Sequence, residues 1–254
     1  TKIYDGVCHS LTSINDELYF VSNKNMVKRK KDGTFVILKD NMLEGEFVKF
    51  LQISPTKIIW SSDYQSGYIE GDRSYDFPPL DVTESHYASL SDMPTKKIEQ
   101  YKGILLIPKD NILYYTMPFE YNKIDLRYNF FQYKTSIKIV KRIIESIVVG
   151  TEDGIYLLRL GDLENIKNDK VSDKVLLEGT GVTMDLMIQS SLQGTVNEYV
   201  FIGLTKDGAV TISDNGNIYP LGGTNFIDFK NYNYANINKI RINNNEFLAI
   251  TPLY

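Results

Sequence analysis

The sequence predicts an all-β fold, a single β-propeller of about six blades, on three observations. Tight turns of one kind recur, at Asp32-Gly33, Asp153-Gly154 and Asp207-Gly208, with Asp214-Asn215-Gly216 close behind the last. The flanking segments are short, partly alternating and rich in Ile, Val, Tyr and Phe, which is strand chemistry. Aligned on the turns, the chain falls into units of about forty residues, the spacing of four-stranded blades that must cover one another's apolar faces. A β-sandwich explains the turns but not the spacing.

The first unit runs over 9–40, with strands expected at 18–22, 26–30 and 34–38. The second covers 46–79, with strands at 47–53, 57–61 and 67–70. Pro78-Pro79 ends it, because proline at both positions excludes a central strand. The polar segment 80–95 reads as a surface linker between blades. A third unit starts near 97 and contains 104–108 and 112–116. The fourth spans 137–177 and the fifth 182–221. The sixth is incomplete, with only 237–242 and 246–251 left before the chain ends. We therefore expect a ring closed by strands from both termini, residues 1–7 lying beside the C-terminal hairpin. The best helix candidate, 161–170, is polar and interrupted by Asn165 and Asn168.

Composition sets the class. The chain has 254 residues, of which 43% are hydrophobic, enough for a real core. The net charge is −4 and the charges are spread, which argues against a nucleic-acid-binding surface. The one basic cluster, Lys28 to Lys31, adjoins the Asp32-Gly33 turn and reads as a solvated hairpin end. Cys8 is the single cysteine, so no intrachain disulfide forms and folding in a reducing cytoplasm is allowed. No apolar run approaches the roughly 20 residues that span a bilayer. The first residues lack the apolar segment of a signal peptide, and the absence of an initial Met leaves room for sequence ahead of Thr1.

Chemistry-bearing motifs are scarce. Cys8-His9 has His86 as the only other imidazole, too few ligands for a zinc site, and we expect no cofactor and no metal. No motif supports a nucleophile–base pair from Cys8 and His86. Most carboxylates lie beside Gly or Asn in turns, where they accept local backbone hydrogen bonds. The segment 150–154 lacks the Lys-Ser/Thr ending of a phosphate loop. What stands out is aromatic. The stretch 117–133 reads as a long connection without strands of its own, and such loops are commonly functional. Phe119, Tyr121, Arg127, Phe130 and Phe131 are the candidates in it for an interface, since aromatic residues and Arg are favoured at interface centres.

Several segments in order carry a family resemblance. They are Cys8-His9-Ser10, Tyr114-Tyr115-Thr116-Met117-Pro118-Phe119, Ile124-Asp125-Leu126-Arg127-Tyr128-Asn129-Phe130-Phe131, Val149-Gly150-Thr151-Glu152-Asp153-Gly154-Ile155-Tyr156, Glu178-Gly179-Thr180-Gly181-Val182, and the strand and turn 202–208. Together they resemble the β-propeller virion proteins of tailed bacteriophages, related to tail nozzle and tail-stabilisation proteins. The resemblance runs from about Cys8 to Thr251 and is most specific over 114–156. It implies a non-enzymatic structural protein of the tail, neck or nozzle, located in the virion. The implied partners are other virion proteins and further copies of the chain, as a homo-oligomer and by analogy a hexamer, around a DNA channel. It carries no catalytic residues across. A near-neutral to acidic surface suits a conduit that must not hold DNA. Two other readings stay open: a carbohydrate-binding or glycan-cleaving propeller, and a cytoplasmic scaffold of a host cell.

Overall fold

The computed structural model describes residues 8–80, 86–161, 166–190, 194–221, 229–242 and 245–253. The chain divides into two compact units, one of 1–109 with 113–131 and one of 110–112 with 132–254.

In the first unit, β1 (Cys8–Ile14), β2 (Glu17–Ser22), β3 (Asn25–Arg29) and β4 (Phe35–Lys39) form an antiparallel sheet in chain order. A second sheet repeats the plan with β5 (Lys49–Gln52), β6 (Lys57–Ser61), β7 (Ser66–Glu70) and β8 (Arg73–Tyr75). After β9 (Tyr87–Ala88) come β10 (Glu99–Tyr101), β11 (Ile104–Lys109) and β12 (Ile112–Tyr115). Then β13 (Ile124–Asp125) returns to pair with β9, and β14 (Phe130–Gln132) completes the third sheet beside β12.

Side chains from consecutive sheets fill the space between them. Tyr19, Val21 and Met26 of the first sheet pack with Phe50, Trp60 and Ile69 of the second. Ile59 of the second packs with Leu105 and Ile107 of the third. Trp60 is fully buried and its Nε1 donates to Ser74 Oγ at 2.9 Å, so its one polar atom is satisfied. Gly67 makes room for it, because a Cβ there would lie 2.9 Å from the indole. Lys28, expected at a solvated hairpin end, is buried as well. It is held by Glu17 at 2.9 Å, Asp72 at 3.2 Å and the Gly71 carbonyl at 3.1 Å, which pins the β7–β8 turn to the first sheet.

In the second unit the fourth sheet is β15 (Ile137–Arg142), β16 (Ile147–Thr151), β17 (Ile155–Leu160) and β18 (Ile166–Ser172). After β19 (Glu178–Thr180) the fifth follows as β20 (Val182–Ser190), β21 (Gly194–Thr205), β22 (Gly208–Ser213) and β23 (Ile218–Pro220). The sixth joins β19 to β24 (Tyr234–Ile242) and β25 (Asn245–Leu253). Val148, Leu157, Phe201 and Ile212 share one core cluster; Val200, Ile202, Phe229 and Ile237 share the next. The fold is thus all-β with six propeller blades, and the boundaries follow the turn-based units closely.

The closed ring is corrected. Its expected closing strand, 1–7, lies outside the described residues. The first described strand belongs to a complete four-stranded sheet, and the last sheet takes its third strand from inside the chain. That strand, β19, runs parallel to β24, with Glu178 opposite Tyr234 and Thr180 opposite Asn236. Among the described residues no strand ladder joins the first sheet to the last. Gly179 permits the close approach at φ 139°, since a Cβ there would collide with the Ala235 carbonyl.

Three smaller expectations differ from the structure. The segment 80–95 is more than a surface linker: it contains β9 and a short 3-10 turn, Leu90–Asp92, and it buries Leu90 and Met93. The helix expected at 161–170 is, over its described part, the exposed edge strand β18. A strand with neither face buried shows no alternation, which is why it read as polar helix. The connection 117–133 carries β13 and β14, each too short for a periodic signal.

Candidate functional site

The third blade presents exposed aromatic residues, and its geometry starts at a strained residue. Phe119 has φ 62°, the left-handed region that a bulky side chain rarely enters. Its N–H donates to the Gly103 carbonyl at 2.7 Å. Gly103 lets the ring approach, because a Cβ there would sit 2.8 Å from Phe119 Cε1. The ring is still 76% exposed. The following turn is tied by Met117 N–H to the Lys123 carbonyl at 2.7 Å and Lys123 N–H to the Glu120 carbonyl at 2.9 Å. Asn122 braces it from below: Nδ2 donates to the Pro78 carbonyl at 3.2 Å, and Oδ1 accepts from Leu90 N–H at 3.2 Å.

Beside this turn lies a groove of about 410 Å³, lined by Ile59, Tyr68, Phe77, Pro78, Phe119, Tyr121 and Asn122 among others. Lys57 and Lys123 also line it, and both sit over aromatic rings, at 4.0 Å from Tyr68 and 4.1 Å from Tyr87. Among the described residues, Glu120 is the carboxylate in its lining.

The five interface candidates divide by role. Phe119 and Phe130 are exposed. Tyr121 is half-buried against the cluster of Leu105 and Ile107. Phe131 stacks on Tyr115, the ring centroids 5.4 Å apart. Arg127 is engaged within its own turn: Nε and Nη2 grip the Asp125 carboxylate at 3.1 and 2.8 Å. Its guanidinium holds the Asp125 carboxyl down at about 2, and also lies 5.1 Å from the Tyr128 ring. Tyr128, not among the candidates, is 70% exposed. An exposed ring in a run of aromatic residues is not distinguishable from a packed one by type.

Gly33, Gly154 and Gly208 have φ of 88°, 154° and 125°. Asp32 Oδ1 accepts from Thr34 N–H at 2.8 Å and Thr34 Oγ1 at 2.7 Å, which lowers its carboxyl pKa. Asp153 accepts from Thr151 Oγ1, Thr135 Oγ1 and Tyr156 OH at 2.6, 2.9 and 3.0 Å, and these donors hold its carboxyl well below the usual range. Asp207 N–H points back to Thr205 Oγ1 at 3.3 Å.

His9 contacts Ser10 Oγ at 3.0 Å and packs on Phe47, and burial lowers its pKa. Cys8 is exposed. Among the described residues no three His, Cys, Asp or Glu side chains gather as a metal site would need, and no helix is long and apolar enough to cross a membrane. Two carboxylates went unnoticed in the sequence. Buried Glu46 accepts from Leu43 N–H at 2.8 Å, from Gln65 Nε2 at 3.1 Å and from Ser62 Oγ. Asp214 reaches from the fifth sheet to the fourth, taking Ile144 and Glu145 N–H at 3.2 Å each and Ser146 Oγ at 2.5 Å. The turn around Asp214 was legible, but its partners, distant in sequence, were not.

No protein-family model matches the chain, and no curated protein matches its sequence. Solved structures do resemble it. Virginiamycin B lyase from Staphylococcus aureus aligns with a TM-score of 0.52 at 11% identity, over 98% of this chain and 85% of that one. A chain from the crystal structure of BBS1N in complex with ARL6DN aligns at 0.50 and 8%, over 94% and 74%. The extracellular domain of the putative hybrid two component system BT4673 from B. thetaiotaomicron aligns at 0.49 and 13%, over 91% of this chain but 35% of that one. This chain therefore spans about a third of the length of that chain. The likeness is one of fold: a β-propeller scaffold, a class that serves many chemistries and many assemblies.

Proposed function

We propose that the chain is a non-enzymatic structural protein of a tailed-bacteriophage virion, in the tail, neck or nozzle, and that it works as a rigid β-propeller assembly module. One observation carries the assembly role. Phe119, Tyr128 and Phe130 stay exposed on a segment that is braced from within, by Phe119 N–H on Gly103, Asn122 on Pro78 and Arg127 on Asp125. Exposed aromatic side chains on a pre-organised backbone lose little freedom when they dock. The virion setting rests on the sequence resemblance over 114–156 and its companion segments.

Antibody labelling of purified particles, with mass spectrometry of their proteins, tests the setting: the chain is expected at fixed copy number per particle. Its absence from particles overturns the virion reading. The double variant Arg127→Glu/Phe130→Ala tests the surface. Normal incorporation of a folded double variant rejects this face as the assembly surface.

A second reading, glycan binding, has the groove beside Tyr121 in its favour, with aromatic walls and the amide of Asn122. A glycan array with the parent and Tyr121→Ala decides it, and equal signals from both proteins reject the groove.

A further inference from the structure

The last strand of a sheet presents unpaired backbone groups, and five of the six blade sheets protect it in recognisable ways. β8, β14 and β23 have three residues each, and β23 ends in Pro220. β4 has five residues and ends in Lys39. β18 has seven, among them Lys167, Asp169 and Lys170. β25 differs: it is nine residues long, and Glu246 is its only charged residue. Phe247, within it, is 50% exposed.

The phase of β25 follows from a proline. Pro252 lies opposite Ala235 in the ladder with β24. Proline has no N–H to give, so this rung is one whose backbone groups point away from β24. Antiparallel rungs alternate, so residues 246, 248 and 250 also turn N–H and C=O to the open side. Among the described residues no strand takes them.

We infer that β25 pairs edge to edge with β25 of a second copy of this chain, antiparallel, about a two-fold axis through Ala249. The strand overlaps itself over its whole length only when centred there. In that register Leu248 meets Ile250 with both hydrogen bonds exchanged. Glu246 meets Pro252, whose carbonyl accepts and whose nitrogen asks for nothing. No like charges face one another, the usual obstacle to self-pairing. Ala249 meets Ala249 at a rung where side chains come closest, and the small residue fits. The contact is isologous, unlike the head-to-tail contacts of a six-fold ring, and it does not rest on the virion reading.

Light scattering across a concentration series tests it on the full chain. The parent is expected at twice the 29.1 kDa chain mass. Ala249→Lys and Ala249→Glu are each expected to be monomeric, because each sets like charges face to face on the axis. An equimolar mixture of the two should restore the dimer, since opposite charges then meet. As a second measurement that leaves the strand nearly unchanged, Cys8→Ser/Ala249→Cys should cross-link between copies on mild oxidation. A parent that stays monomeric at every concentration overturns the inference. So does a dimer that survives in both charged variants, or a cysteine variant that gives no cross-linked species.

Discussion

Thr151 and Gly154 are joined twice across one turn: Thr151 N–H donates to the Gly154 carbonyl at 2.8 Å, and Thr151 Oγ1 reaches the same oxygen at 3.0 Å. The device recurs. Thr205 Oγ1 donates to the Gly208 carbonyl at 2.9 Å. In two blades a hydroxyl at the end of the second strand fixes the turn into the third.

Gly154→Val should destabilise the protein by on the order of 2 kcal/mol or more. The backbone sits at φ 154°, and a Cβ would run into the Ser172 carbonyl of the neighbouring strand. A denaturant titration matching the parent's rejects this account of the turn.

Thr151→Val should cost about 1 kcal/mol, because it removes a donor shared by Gly154 and Asp153 while keeping the side-chain shape. Thr205→Val should cost a similar amount. If both variants melt with the parent, the hydroxyls are ornaments of the turns and not their fasteners.

Asp125 and Arg127 predict an acid-sensitive increment of stability. The folded carboxyl titrates at about 2 against an ordinary 3.8. A depressed carboxylate pKa stabilises the fold above the unfolded value and loses that contribution as pH falls through the folded one. The loss therefore falls between pH 3.8 and about 2. Arg127→Met should flatten the melting temperature across that window relative to the parent, with the two curves converging at its acid end. Parallel curves from neutral pH down to pH 2 sink the assignment.

Glu46→Ala should be among the most damaging single changes, costing about 3 kcal/mol. It would strand Leu43 N–H, Gln65 Nε2 and Ser62 Oγ, which now share one buried carboxylate. Glu46→Gln keeps an acceptor and should cost less. Trp60, the only tryptophan, is fully buried in the same unit and reports the transition by fluorescence. Equal midpoints for the two variants contradict this role.

The blades were legible because their turns are local. Asp32-Gly33, Asp153-Gly154 and Asp207-Gly208 announce themselves within a few residues, and their flanks alternate. β14, β13 and β19 were not legible, since two or three residues cannot show a period. β18 misled because an edge exposed on both faces reads as neither strand nor core. At the site, the aromatic run was visible by composition. Which rings are exposed depends on Phe119 entering the left-handed region and on Arg127 closing upon Asp125, and residue type encodes neither.

The parallel rung between Glu178 and Tyr234 also has a consequence in time. Four of the blade sheets are built from consecutive hairpins, and in the third only the short β13 intervenes between β12 and β14, so each can close soon after it leaves the ribosome. The sixth cannot: β19 emerges first, the whole of the fifth sheet follows, and only then does β24 arrive. At about 5–20 residues per second, β19 waits several seconds for its partner. Throughout that interval Val200 and Ile202 lack the cover that Ala235 and Ile237 later give. A nascent chain stalled before residue 234 should therefore be the species that chaperones hold and that aggregates first.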